Sequence, residues 1–164
     1  MRKERRKEEG AVNSMLSHKH LQKIELLSDT ILYPEAVAFV RRMIQKERCK
    51  PLPATQVNGL LNIALTLKYD DARRFVEHQR ERNWPSNKRD IKTFYTHLEK
   101  ELTRLEQRLH TEFALTKDER GRRVSAEDEQ EMLGLLFREY VQHLLAENML
   151  AEAERRTQPG PYRR

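Results

Sequence analysis

The strongest constraint on this chain is an apolar series: Ile91, Phe94, Leu98, Leu102, Leu105, Leu109 and Phe113 follow one another at steps of three and four. That spacing returns side chains to one stripe of an α-helix and does not fit the two-residue repeat of a strand. A helix with such a seam must bury it against a partner. The seam is long enough for a coiled coil. Other amphipathic segments in the same chain make a long helix of a compact bundle the more ordinary reading.

Those segments read as follows. His18 to Leu27 places Leu21, Ile24 and Leu27 at helical spacing. A second helix is predicted to begin at Pro34, since proline suits a first turn where its missing N–H has no partner. Val37, Val40, Met43 and Ile44 mark its face, and Lys50-Pro51-Leu52-Pro53 ends it. A third runs from Thr55, its candidate N-cap, to Lys68. Its stripe of Val57, Leu60, Leu61, Ala64 and Leu67 is widened by Ile63 and Leu65, which predicts burial on more than one side. Asp70 or Asp71 caps a fourth helix ending near Asn83, Trp84-Pro85 breaks the chain, and Ser86 caps the fifth. Leu115 to Val124 reads as an exposed polar loop. Ser125 and Asp128 then resemble a capping box, and Leu133, Leu136, Phe137, Tyr140, Val141, Leu144 and Leu145 carry a last helix to about Arg156.

The expected fold is therefore all-α, a compact helical bundle of five to six helices. Residues 18–156 form the single domain, residues 1–17 a disordered charged arm and residues 157–164 a tail. The 164 residues include one Cys, so no internal disulfide can form, and a reducing, cytoplasmic setting is expected. The RKERRKEEG start lacks the apolar core of a signal peptide, and no apolar run approaches the ~20 residues that cross a bilayer. No membrane partner is expected.

Catalytic spacing is hard to find. None of the five glycines opens a phosphate-binding loop, and no HExxH occurs. His18 and His20 are two apart and would point to different helix faces. His78, His97, His110 and His143 stand alone, and each reads as a surface or packing histidine. Cys49 has no His partner in sequence, although Lys46, Arg48 and Lys50 would favour its thiolate. Carboxylates such as Asp70-Asp71 and Glu127-Asp128-Glu129 sit at helix starts, where capping and the helix dipole account for them. No nucleophile, base and orienter come together, so the chain reads as a non-enzyme without metal or cofactor.

Charge is more informative. The net charge of +6 divides as +5 over residues 1–50 (12 basic, 7 acidic), +2 over 51–113 (11 and 9) and −1 over 114–164 (9 and 10). The excess is locally sharp where Arg73, Arg74, Arg80, Arg82, Lys88, Arg89 and Lys92 face only Glu77, Glu81 and Asp90. On the fourth helix Phe75, Val76 and Gln79 point one way, which leaves Arg73, Arg74 and Arg80 largely outward. Arg41, Arg42 and Lys46 form a second strip. Outward arginines suit phosphates, because guanidinium stays charged and donates in a fork. Trp84 beside them either stacks on an unpaired base or pins the corner into the core, and the core is the preferred reading.

LPATQVNGLLNIA at Leu52 to Ala64, followed by ARRFVEHQRERNWP and DIKTFYTHLEKEL, resembles the small helical subunits of type III CRISPR effector complexes. The similarity spans about Leu52 to Phe113. Asn58 stands where that pattern leads us to expect an Arg, and the long last helix and charged arm go beyond the small members. The resemblance implies a non-catalytic structural subunit that lines up in several copies. It would touch a guide–target RNA duplex or target strand through the backbone, with other subunits of the complex as partners. The competing reading is a helical protein–protein adaptor whose Ile91–Leu109 seam is intermolecular.

Overall fold

The computed structural model describes residues 16–158. Among the described residues every element is helical, apart from one isolated bridge between Lys117 and Arg123. The elements are α1 (His18–Leu27), a π-helical turn (Ser28–Leu32), α2 (Tyr33–Gln45), α3 (Ala54–Leu65), α4 (Tyr69–Glu81), a 3-10 turn (Ser86–Lys88), α5 (Arg89–His110) and α6 (Ala126–Thr157). The all-α bundle expected from the apolar periods is the fold observed.

The chain does not break before Pro34. Helical dihedrals continue from α1 through the π turn into α2, and the proline lies in the first turn of α2. A proline inside a helix lacks one N–H and crowds the carbonyl four residues earlier. The wider turn at Ser28–Leu32 takes up that mismatch without ending the helix. Most of the residues 1–17 read as an arm lie outside the described residues, but its last two belong to the fold. Leu16 is buried, and the Ser17 hydroxyl accepts from the His20 N–H to cap α1. Of the expected tail, residues 159–164 lie outside the described residues, while Thr157 ends α6.

α6 is the centre of the bundle and packs against α2, α3, α4, α5 and the π turn. Its buried residues, Met132 to Asn148, point in several directions, as befits a helix enclosed by neighbours. α3 was expected to be the helix buried on several sides, and it is not. Only Leu60 and Ala64 are fully covered there, and Leu65 is 51% exposed. The wide stripe on α3 is an apolar surface only half used by the core.

The α5 seam is consumed inside the chain. Ile91, Phe94, Leu98, Leu102, Leu105, Leu109 and Phe113 are all buried in one contiguous core. An intermolecular coiled coil through that seam is excluded by this burial. Edge-on aromatic pairs knit the centre: Phe39 meets Phe94 at 5.3 Å, and Phe94 meets Tyr95 at 5.4 Å. Such T-shaped contacts add to burial by matching ring edge to ring face.

Several caps differ from expectation. Pro53, not Thr55, precedes α3, and Thr55 lies inside the helix. Lys68 precedes α4, so Asp70 and Asp71 occupy its first turn, where they complement the dipole without capping. Ser86 starts a 3-10 turn, and Lys88 precedes α5 with no side-chain cap. Ser125 does cap α6, accepting from the Asp128 N–H. The Leu115–Val124 loop is exposed from Lys117 to Arg123, as expected, and is anchored at its start. Leu115 is buried, the Asp118 carboxylate accepts the N–H groups of Arg120 and Arg122, and His20 Nε2 lies 3.0 Å from the Lys117 carbonyl.

Two contacts fix how the turns meet α6. The α3–α4 turn bears on Gly134, where a Cβ would collide with the Leu67 carbonyl. Leu67 itself takes a positive φ of 59°. The linker before α3 is clamped by buried Asn148. Its Oδ1 accepts the Leu52 N–H at 2.7 Å, and its Nδ2 donates to the Leu52 carbonyl at 3.1 Å.

Candidate nucleic-acid interface

The ten basic residues singled out in the sequence separate into two groups. Arg73 lies 2.6 Å from Glu106 and 3.4 Å from Glu77, and Arg80 Nε lies 2.6 Å from Glu99. Both arginines are partly buried and tie α4 to α5, so the largely outward placement expected for them is not found. Arg42 reaches Glu101 across from α2 at 3.3 Å. Arg74 is outward but paired with Asp71 at 2.9 Å. These four arginines are engaged within the fold.

The other six, Arg41, Lys46, Arg82, Lys88, Arg89 and Lys92, are exposed. None has a carboxylate partner among the described residues. Four of them, Arg82, Lys88, Arg89 and Lys92, follow one another around the α4–α5 corner. The Lys50 N–H donates to Asp90 Oδ2 at 2.9 Å, which places the α2–α3 linker beside the start of α5. His97 Nε2 lies 3.5 Å from Glu47, extending the same junction along α5. Lys88, Arg89 and Lys92 lie at that start of α5 and Arg82 at the preceding corner, while Lys46 stands beside the Glu47 that meets His97, further along α5. Arg41 lies further back along α2.

A groove of ≈ 820 Å³ opens here, between the α2–α3 linker, the α4–α5 corner and the last turns of α6. Its apolar lining includes Leu52, Val57, Ile91 and Phe94, and Trp84 also lines it. Four cations line it as well: Lys50, Lys88, Arg155 and Arg156. Glu152 accepts from both arginines at 3.0 Å, and these bonds hold its carboxyl down at about 2. Lys50, Arg155 and Arg156 were not singled out from the sequence. The arginine pair closes a segment whose net charge is negative, so only folding reveals where it lies.

Trp84 packs against the core at the α4–α5 corner, as the preferred reading expected. It is half-buried, its Nε1 donates to the Gln79 carbonyl at 2.7 Å, and the Arg82 guanidinium lies over its ring at 4.5 Å. The indole is held at its edge while a cation covers the ring.

Elsewhere, titratable groups are engaged in packing. Burial, with Asp90 and Glu47 adding to it, pushes the Cys49 thiol up to about 11, so the lysines and arginine nearby do not favour its thiolate. The Ser28 hydroxyl donates to Glu139 Oε2 at 2.9 Å and lies 2.8 Å from His143 Nε2. Here the carboxylate contacts the hydroxyl instead of orienting the imidazole, which is not the arrangement of a nucleophilic triad. Residues separated by 111 and 115 positions leave no local sequence signal of this cluster. Burial raises the Tyr140 hydroxyl well above its ordinary value, and Glu101 and Glu35 add to the rise. Among the described residues no group of three or more metal-ligating side chains converges.

No family model matches the chain, and comparison with curated proteins and with solved structures found no match.

Proposed function

We propose that the protein is a non-catalytic RNA-binding helical subunit of a ribonucleoprotein, of the type III CRISPR kind that the Leu52–Phe113 segment resembles. One observation carries the reading. Arg82, Lys88, Arg89 and Lys92 are exposed, have no carboxylate partner among the described residues and follow one another around the α4–α5 corner, whereas Arg42, Arg73, Arg74 and Arg80 are ion-paired. Leaving such charges unpaired and close together costs repulsion, which a polyanion relieves. Arg82, Lys88, Arg89 and Lys92 are the main phosphate contacts, with Lys46 and Arg41 extending the strip. Backbone contact of this kind gives affinity without reading sequence, so base pairing elsewhere in the assembly supplies specificity. The cytoplasm is the expected compartment, and other subunits, including copies of this chain, are the expected protein partners.

Charge reversal tests this. The combined change Arg82→Glu, Lys88→Glu, Arg89→Glu and Lys92→Glu is expected to abolish measurable RNA binding at moderate salt. Reversal of Arg120, Arg122 and Arg123, in the loop before α6, serves as the control and is expected to leave affinity within about threefold, since no more than screened long-range attraction is lost. Equal effects of the two sets would refute the assignment. Arg73 and Arg80 are unsuitable for this test because their reversal would also break the α4–α5 ion pairs.

A further inference from the structure

The groove beside these exposed cations has features that backbone contact alone does not use. It is lined by an apolar surface, by the chain's single tryptophan, by the exposed amides of Asn58 and Asn87, and by Lys50 and Lys88. Its ≈ 820 Å³ falls in the range of small-molecule pockets and is ample for one nucleotide.

The state of Trp84 narrows the class of ligand. The hydrogen bond from Nε1 to Gln79 fixes the indole, so ordering it on binding costs little. The Arg82 guanidinium lies over the ring, on an exposed side chain with no carboxylate partner among the described residues. A guanidinium held mainly by a ring face is readily exchanged for another flat group, and the freed cation is then available to a phosphate. Lysines in the lining supply further phosphate contacts at the point where an apolar, hydrogen-bonding plane would enter. An aromatic platform flanked by cations is the arrangement that binds unpaired bases.

We infer that this groove receives one unpaired nucleotide of the bound RNA, its base stacked on Trp84 in place of the Arg82 guanidinium and its phosphate near Lys50 and Lys88. The Asn58 and Asn87 amides meet the edge of the base. Val57, Ile91 and Phe94 exclude water from its far side. The inference rests on the RNA-binding reading above and adds that the strand is single at this point.

Because Trp84 is the only tryptophan, emission of the full-length protein reports this groove alone. The probes are a single-stranded oligoadenylate of about ten nucleotides, the same strand carrying abasic positions, and a blunt duplex of equal length. The intact single strand is expected to quench Trp84 and to bind about tenfold or more tighter than the abasic strand, since stacking one base is worth roughly 1–3 kcal/mol. Trp84→Phe is expected to keep that preference and Trp84→Ala to lose it. Equal, salt-sensitive binding of all three probes without quenching would overturn the groove assignment and leave the backbone reading standing. No binding by any probe would overturn both. Quenching by polyglutamate but not by the oligoadenylate would show an acidic protein partner and equally overturn the inference.

Discussion

Asn148 illustrates how a single side chain can organise a surface far from it in sequence. Its amide copies the donor and acceptor of a backbone and satisfies both polar groups of Leu52, which a short proline-flanked linker cannot pair by itself. Asn148→Ala leaves a buried N–H and a buried carbonyl without partners. We expect a loss of roughly 2–4 kcal/mol in urea unfolding, against about 0.5 kcal/mol or less for Gln142→Ala on an exposed position of the same helix. Nothing local marked Asn148, because an asparagine within an apolar helix reads the same whether it is clamped or solvated. Cys49 shows the opposite failure. Its basic sequence neighbours suggest a reactive thiol, yet burial against Asp90 and Glu47 dominates and pushes it up to about 11. The native thiol is therefore expected to resist iodoacetamide at pH 9 and to react rapidly once the chain is unfolded. Fast native alkylation at pH 9 would contradict this environment.

At the scale of elements, periodic apolar residues were legible and their caps were not. The α5 seam and the α6 core residues lie where their spacing puts them, because a buried stripe is a sum over many residues. Caps depend on one or two dihedrals. Thr55 and Ser86 were displaced by neighbouring proline and by a 3-10 turn that the sequence pattern does not distinguish from a helix start. The π turn before Pro34 was likewise invisible, since it keeps helical dihedrals and shifts the register within one continuous helical run. The relation of α3 to α6 was inverted for a further reason: stripe width reports how much apolar surface a helix has, not how much its neighbours cover. Gly134 records the coverage directly, because α6 admits the Leu67 carbonyl only where no Cβ intervenes. Intrinsic propensity favours Ala over Gly in a helix by about 1 kcal/mol. A collision with backbone costs roughly 1–3 kcal/mol or more. Gly134→Ala is thus expected to be net destabilising by thermal unfolding. A stabilised variant would show that the α3–α4 turn does not bear on α6.

For the whole molecule, charge acquires meaning only through folding. The linear division of +5, +2 and −1 suggested a basic N-terminal portion and a neutral last helix. Folding instead collects Lys50 from the first segment, Lys88 from the second, and Arg155 and Arg156 from the third around one groove, with Arg82 over the Trp84 ring beside it. The same folding withdraws Arg42, Arg73 and Arg80 into ion pairs between helices. Six of the ten candidate cations therefore remain available to a phosphate backbone, and part of the groove beside them could not be read from sequence at all. The central claim is that these cations bind RNA through its phosphates, and salt titration tests it most directly. With four or more single-strand phosphates neutralised, the logarithm of affinity should fall with the logarithm of salt at a slope of about −3. The variant reversed at Arg82, Lys88, Arg89 and Lys92 should lose that dependence together with its affinity. An affinity for RNA that is flat in salt, or a slope that survives the reversal unchanged, would contradict the account.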